Sequence, residues 1–277
     1  MNQDFTYTTR QNNTLSITVY GIEKWGQQPC VLYIHGFKGF KDWGFVPYIG
    51  NRFAENGFCF VSFNFSHNGI GEDKEVFSEM DKFAQNTLSL ELNEAKEIIR
   101  LCTSHKLFGD FHDMPIGVLA HSRGGGLGII ASSENPEVSA LVTWASVCTY
   151  ERYEKNMKAE WRAKGYMEVE NARTKQVFQM NVSFLEDLEK NAKTHLNVLM
   201  HVKNLGKPLL IVHGDRDTSV PFFEAEQLNV YAYPNTTQYH LVANADHTFG
   251  ATHPFVGTTP HLEEVLERTI AFFQKNL

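Results

Sequence analysis

The chain has 277 residues, 42% hydrophobic and 21% charged, with a formal net charge of −7. That length can bury one large core, in one domain or two, and the composition is ordinary for a soluble globular protein. The acidic balance and the lack of a basic cluster argue against nucleic acid as a partner, and no run approaches the roughly 18 apolar residues of a membrane span.

Met1-Asn2-Gln3-Asp4 lacks the basic and apolar regions of a signal peptide, so a cytoplasmic location is the expectation. Cys30, Cys59, Cys102 and Cys148 are scattered, with no CxxC pair, and read as buried reduced thiols rather than a disulfide or metal framework.

In chain order, residues 5–20 alternate loosely, are rich in Thr, Tyr, Val and Ile, and predict a β-hairpin around Asn12-Asn13. Cys30-Val31-Leu32-Tyr33-Ile34 is a continuous apolar run, the pattern of a strand covered on both faces, and it ends in His35-Gly36-Phe37. A helix is expected over 47–56, with Gly57 at its C-cap, then a buried strand over 58–65 and a polar Gly-rich loop. Residues 72–84 read as an irregular excursion. Helical spacing of Leu88, Leu92, Ala95, Ile99 and Cys102 predicts a helix over 86–105. A strand over 116–121, a helix to about Ser133 and a strand over 138–144 follow. Strands alternating with helices imply an α/β fold with a mostly parallel sheet.

The rhythm breaks at 149–205, a stretch rich in Lys, Glu, Arg and Asn without a buried-strand run. A helix over 150–164, a short hairpin (166–170 and 176–180, turning at 171–174) and a helix over 184–204 are expected there. With so few residues for a core of its own, the stretch reads as a small, mainly helical cap inserted into a core made of 1–148 and 206–277. The alternation then resumes: a strand over 208–214, a helix over 222–231, a strand over 238–242 and an amphipathic helix over 260–276.

The stretch Ala120-His121-Ser122-Arg123-Gly124-Gly125-Gly126 stands between a strand and a helix. It matches the nucleophile-elbow pattern G-x-S-x-G, with Ala120 in the first glycine place, and puts Ser122 at the apex of a tight turn. A serine hydroxyl needs a base to take its proton, a group to orient that base, and donors for the oxyanion that forms. The loop Gly214-Asp215-Arg216-Asp217 lies just past a strand and offers two carboxylates; Asp246-His247 lies past the last strand. This is the α/β-hydrolase order of serine, acid, histidine. Among the twelve histidines, His253 and His261 satisfy the same order.

Over nearly its whole length the chain resembles an α/β-hydrolase. Within that fold it resembles the serine esterases of the cinnamoyl/feruloyl-esterase and serine-aminopeptidase-like group. The matching stretches are His35-Gly36-Phe37, Ala120-His121-Ser122-Arg123-Gly124-Gly125, His213-Gly214-Asp215-Arg216-Asp217-Thr218-Ser219-Val220-Pro221 and Asp246-His247-Thr248-Phe249. The resemblance implies an eight-stranded sheet, Ser122 as nucleophile and His247 as base. It also implies Asp217 as the acid, from the pattern H-G-x-x-D-x-x-V-P, and an oxyanion hole at the backbone N–H groups of Phe37 and Arg123. His121 and His35 read as structural. The loop Asn64-Phe65-Ser66-His67-Asn68-Gly69 departs from the Asp-x-x-Gly-x-Gly run that such relatives often carry.

The aromatics Phe40, Trp43, Trp144, Tyr150 and Phe249 are candidates to line a substrate pocket, with Trp161 and Phe178 closing it from the cap. The leading expectation is hydrolysis of a small-molecule carboxylic ester with no cofactor and no metal; a homodimer is left open. Two rivals stand beside it. An aminopeptidase would need a carboxylate to hold the substrate amine, from among Glu151, Glu154, Glu160, Glu168 and Glu170. A non-catalytic binding protein on a hydrolase fold would leave the complete triad without a purpose.

Overall fold

In the computed structural model, which describes residues 1–103, 107–109, 114–171 and 174–277, a hairpin opens the chain. Its strands are β1 (Asn2–Thr8) and β2 (Thr14–Tyr20). Then come β3 (Cys30–Ile34), α1 (Val46–Glu55), β4 (Cys59–Phe63), α2 (Met80–Gln85) and α3 (Leu88–Thr103). β5 (Ile116–His121), α4 (Arg123–Ser133) and β6 (Val138–Trp144) follow. The inserted stretch supplies α5 (Lys155–Lys164), the hairpin β7 (Tyr166–Glu170) and β8 (Val177–Asn181), α6 (Val182–Asn191) and α7 (Val198–Lys203). β9 (Leu209–Gly214), α8 (Phe223–Tyr231), β10 (Thr237–Val242) and α9 (Pro260–Asn276) complete the fold.

Eight strands make one sheet in the order β1-β2-β4-β3-β5-β6-β9-β10. β2 is antiparallel to both β1 and β4; the other pairs are parallel. The continuous apolar strands are explained by burial on both faces. Leu32, Ile34, Val118, Ala120, Leu141 and Ile211 face a core covered by α3, α4 and α8. Val31, Tyr33, Leu119, Val142, Trp144 and Val212 face a second core under α1 and α9. Alternate residues of one strand thus serve two cores.

Three local expectations change. The helix expected from 150 begins at 155. Tyr150 is drawn into the core, where its hydroxyl donates to the Arg123 carbonyl at 3.1 Å, and the Cys148 N–H is held by the Glu224 carboxylate at 2.8 Å. These long-range bonds hold 148–154 out of the helix. The helix expected over 184–204 is two helices, because Asn197 caps α7 by accepting from the Met200 N–H. α7 packs against α4 and α8 rather than on the rest of the insertion. The excursion over 72–84 contains α2 from Met80. Residues 104–105 of the helix expected over 86–105 and 172–173 of the expected turn lie outside the described residues.

Candidate active site

β5 ends at His121, and the chain turns at once into α4. Ser122, at the apex, has φ 58° and ψ −125°, a conformation that non-glycine residues rarely adopt. Hydrogen bonds on both sides hold it: its N–H donates to the Trp144 carbonyl at 2.9 Å, and its carbonyl accepts from the N–H groups of Gly125 and Val147. So tight a turn needs close approach. A Cβ on Gly36 would lie 2.8 Å from the Cβ of Ser122, so the loop after β3 rests directly on the elbow.

The Ser122 hydroxyl donates to His247 Nε2 at 2.9 Å, and His247 Nδ1–H donates to Asp217 Oδ2 at 2.7 Å. Asp217 stands in the loop after β9; its other oxygen accepts from the N–H groups of Ser219 and Val220, at 2.8 and 2.9 Å. His213, buried on β9, donates Nε2–H to the Val220 carbonyl and stands 3.2 Å from Asp217 Oδ2. Burial opposes ionisation of Asp217, yet hydrogen bonds from His213, His247 and Val220 hold its carboxyl well below the usual carboxylate range. Asp215 takes no part in this relay; it accepts from the Asn244 N–H. His253 pairs with the Gly44 N–H and packs on Trp43.

Two other histidines keep the frame. His121 donates Nε2–H to the His247 carbonyl at 3.0 Å; burial, then the neighbouring His247, lowers its pKa to about 3. His35 donates Nδ1–H to the Gly36 carbonyl at 2.9 Å, and burial lowers its pKa to about 4. The Gly36 carbonyl also accepts from the Gly39 N–H. Because the peptide between Gly36 and Phe37 is planar and trans, pinning its carbonyl aims the Phe37 N–H the opposite way. Among the described residues, neither the Phe37 N–H nor the Arg123 N–H has a hydrogen-bond acceptor.

Two cavities meet at Ser122, His247, Phe37 and Lys38. One, of about 240 Å³, is lined by Tyr33, Phe40, Trp43 and Asn171 among others. The second, of about 370 Å³, is lined by Arg123, Tyr150, Arg152, Tyr153 and Phe184. Of the aromatics expected in the pocket, Phe40, Trp43 and Tyr150 are there. Trp144 and Phe249 are not, and are corrected to core residues. Both are fully buried on the α9 side of the sheet, ring to ring at 5.7 Å, and the Trp144 indole donates to Thr269 at 2.9 Å. Trp161 and Phe178 also stay out: Trp161 packs on Phe184 and Tyr153, and Phe178 on Phe77 and Phe83. Lys38, Asn171, Arg152, Tyr153 and Phe184 line the cavities without having been singled out in the sequence. An aromatic residue in an otherwise charged stretch was the available signal for Tyr153 and Phe184.

The Arg123 side chain is turned inward. It pairs with the buried Glu91 of α3, and its guanidinium lies 4.4 Å from the Phe37 ring centroid and 5.9 Å from that of Phe184. Arg152 pairs with the buried Glu224. Lys38 donates to the Glu170 carbonyl of β7 at 3.0 Å, and burial lowers its pKa. Among the described residues, no group of three or more His, Cys, Asp or Glu side chains is placed to hold a metal ion, and no helix is long and apolar enough to cross a membrane.

A mostly parallel eight-stranded sheet flanked by helices, with a serine elbow at the end of a central strand, defines an α/β-hydrolase. Known structures agree. Est1E from Butyrivibrio proteoclasticus is 17% identical, with a TM-score of 0.70 over 99% of this chain and 98% of that one. Its complex with ferulic acid gives 19% identity and a TM-score of 0.71 over 98% of both chains. Alpha/beta hydrolase domain-containing protein 10 from mouse is 18% identical, with a TM-score of 0.73 over 99% of both chains. No curated protein matches at the level of sequence. The chain belongs to the dienelactone hydrolase family, whose sequence pattern it matches over residues 17–277, and it is a hydrolase.

Proposed function

We propose that the protein hydrolyses carboxylic esters of small molecules through an acyl-enzyme intermediate. Ser122 Oγ attacks the ester carbonyl while His247 Nε2 takes its proton. Asp217 keeps the His247 proton on Nδ1 and stabilises the imidazolium. The N–H groups of Phe37 and Arg123 hold the oxyanion. His247 gives its proton to the leaving alcohol, then activates a water that releases the acid. The chemistry calls for no metal or cofactor. Residues 149–205 act as a cap, supplying Arg152, Tyr153, Asn171 and Phe184 to the walls of the two cavities.

The observation that carries this reading is the relay of 2.9 and 2.7 Å from Ser122 through His247 to Asp217. Preference for esters over amino-terminal peptides is supported by the walls. Among the described residues lining the two cavities there is no carboxylate to hold a substrate amine. Glu151, Glu154, Glu160, Glu168 and Glu170 are all exposed. The likeness of the fold to Est1E, solved with ferulic acid, points to esters with an aromatic acyl group, for which Phe40 and Trp43 offer a wall.

Ser122→Ala is expected to lower kcat for p-nitrophenyl esters by at least about 10⁴-fold. Its unfolding midpoint in urea should be no lower than that of the wild type. A fluorophosphonate should label the wild type at Ser122 alone, and amino-acid p-nitroanilides should be poor substrates. Retained ester turnover in the alanine variant would overturn the mechanism.

A further inference from the structure

We propose that the Arg123 side chain is a positioning residue for the oxyanion hole, bracing Phe37 so that the loop after β3 cannot lift from the elbow. The inference rests on the ester-hydrolase reading and adds a role to its second oxyanion residue. One residue would then act twice: its N–H is one donor, and its guanidinium holds the residue that carries the other.

The geometry is specific. The guanidinium lies 4.4 Å from the centroid of the Phe37 ring, within cation–π range. That ring also meets Phe83 at 5.8 Å. The guanidinium is itself fixed. It pairs with Glu91, which is 1% exposed, and the same carboxylate oxygen accepts from the Asn86 side chain at 2.7 Å. A buried ion pair is poor value as a stabiliser, because desolvation of both charges offsets their attraction. What it does well is hold one geometry. Because Glu91 neutralises Arg123, the guanidinium is not a second charge for the oxyanion; its part is steric and directional.

The rest of the loop shows why a brace is needed. His35 and Gly39 pin the Gly36 carbonyl, and that fixes the direction of the Phe37 N–H. Neither bond reaches past the loop toward α4. Lys38, next in the chain, has φ 57° and reaches away to Glu170. The contact of the Arg123 guanidinium with the Phe37 ring therefore links the loop side chain to the helix that carries the other donor. An oxyanion donor is worth about 10²- to 10³-fold in kcat, and a misplacement of about 1 Å forfeits much of that.

The test uses the full chain, p-nitrophenyl ester kinetics and inhibition by a trifluoromethyl ketone, which adds to the serine as a tetrahedral oxyanion. Arg123→Lys keeps the charge and loses the guanidinium that lies over the ring. The paired variant Arg123→Met with Glu91→Gln removes both charges, so that no buried ion is left alone if the lysine variant fails to fold. In folded protein, kcat is expected to fall about 10- to 100-fold with KM within about threefold, and trifluoromethyl ketone affinity to fall with it. Phe37→Leu should give a similar loss, and combining it with Arg123→Lys should add little more. Unchanged kcat, or losses that multiply in the combined variant, would overturn the brace. If the wild type turns over the ester and Ser122→Ala does not, such a result counts against this inference alone; if Ser122→Ala remains active, the reading beneath it fails.

Discussion

The half of the site carried by the sheet differs in construction from the half carried by residues 149–205. Ser122, Asp217 and His247 lie past the ends of β5, β9 and β10; Ser122 and Asp217 are each held by several bonds to backbone, and the His247 carbonyl accepts from buried His121. The other half is attached through side chains: Phe178 packs on Phe77 and Phe83, Arg152 pairs with Glu224, Lys38 donates to the Glu170 carbonyl, Gln176 donates to the Phe77 carbonyl at 3.0 Å, and Ser89 bonds Asp187 at 2.5 Å. On the proposed mechanism, the groups that meet the reacting atom sit where several backbone bonds fix the chain. Groups that shape the cavity walls are joined to the core through side chains. Chemistry and selection are thereby separable, and each can be perturbed without the other.

The sheet half is tested most severely by Asp217→Asn. With the acid gone, His247 loses the partner that holds its proton on Nδ1, and kcat is expected to fall about 10⁴-fold with KM little changed. Steady-state kinetics would read this directly; a loss confined to KM would mean that the relay only binds.

Acid offers a second test of the same half. Unfolded histidine protonates near pH 6.5, whereas folded His35 and His121 wait until about 4 and about 3. Over that window the unfolded chain binds more protons, so stability falls as pH falls. Glu94 works the other way. Burial raises its pKa to about 7, so the folded state is the one that holds the extra proton above about pH 4.3. His35 and His121 outweigh the one glutamate, and His67 and His201, whose pKa values burial also lowers, act in the same direction, so stability should fall between roughly pH 6 and 4.5. Urea midpoints across that range should fall, and a flat profile would show that these histidines are not held neutral.

The smallest effect belongs to the other half. Lys38→Met removes the bond to the β7 carbonyl while keeping the length of the side chain. KM is expected to rise about two- to fivefold with kcat within about twofold, and proteolysis in 166–181 to quicken, as for a bond worth about 1 kcal/mol. A large fall in kcat instead would mean that the two halves are coupled more tightly than their bonds suggest.

What the sequence disclosed follows the same division. The strands were readable because burial on both faces leaves an unbroken apolar run, and the relay was readable because its order along the chain is constrained. Trp144 was misplaced for a related reason, whereas Phe249 lies in a turn past β10, where no periodicity marks its burial. A continuous apolar strand carries no parity, so nothing in it says which face Trp144 takes. The pairs Arg123–Glu91 and Tyr150–Arg123 join residues 32 and 27 positions apart, and only folding brings them together. The break between α6 and α7 did have a local signal, the capping Asn197, hidden within an otherwise helical spacing.

The backbone at Ser122 has one more consequence. A φ of 58° with ψ −125° suits glycine, and a side chain there costs on the order of 1–3 kcal/mol. Glycine at that position would relieve the turn and remove the proposed nucleophile. Thermostability and catalysis therefore pull this residue in opposite directions, so a selection that rewarded only resistance to heat would favour loss of the serine.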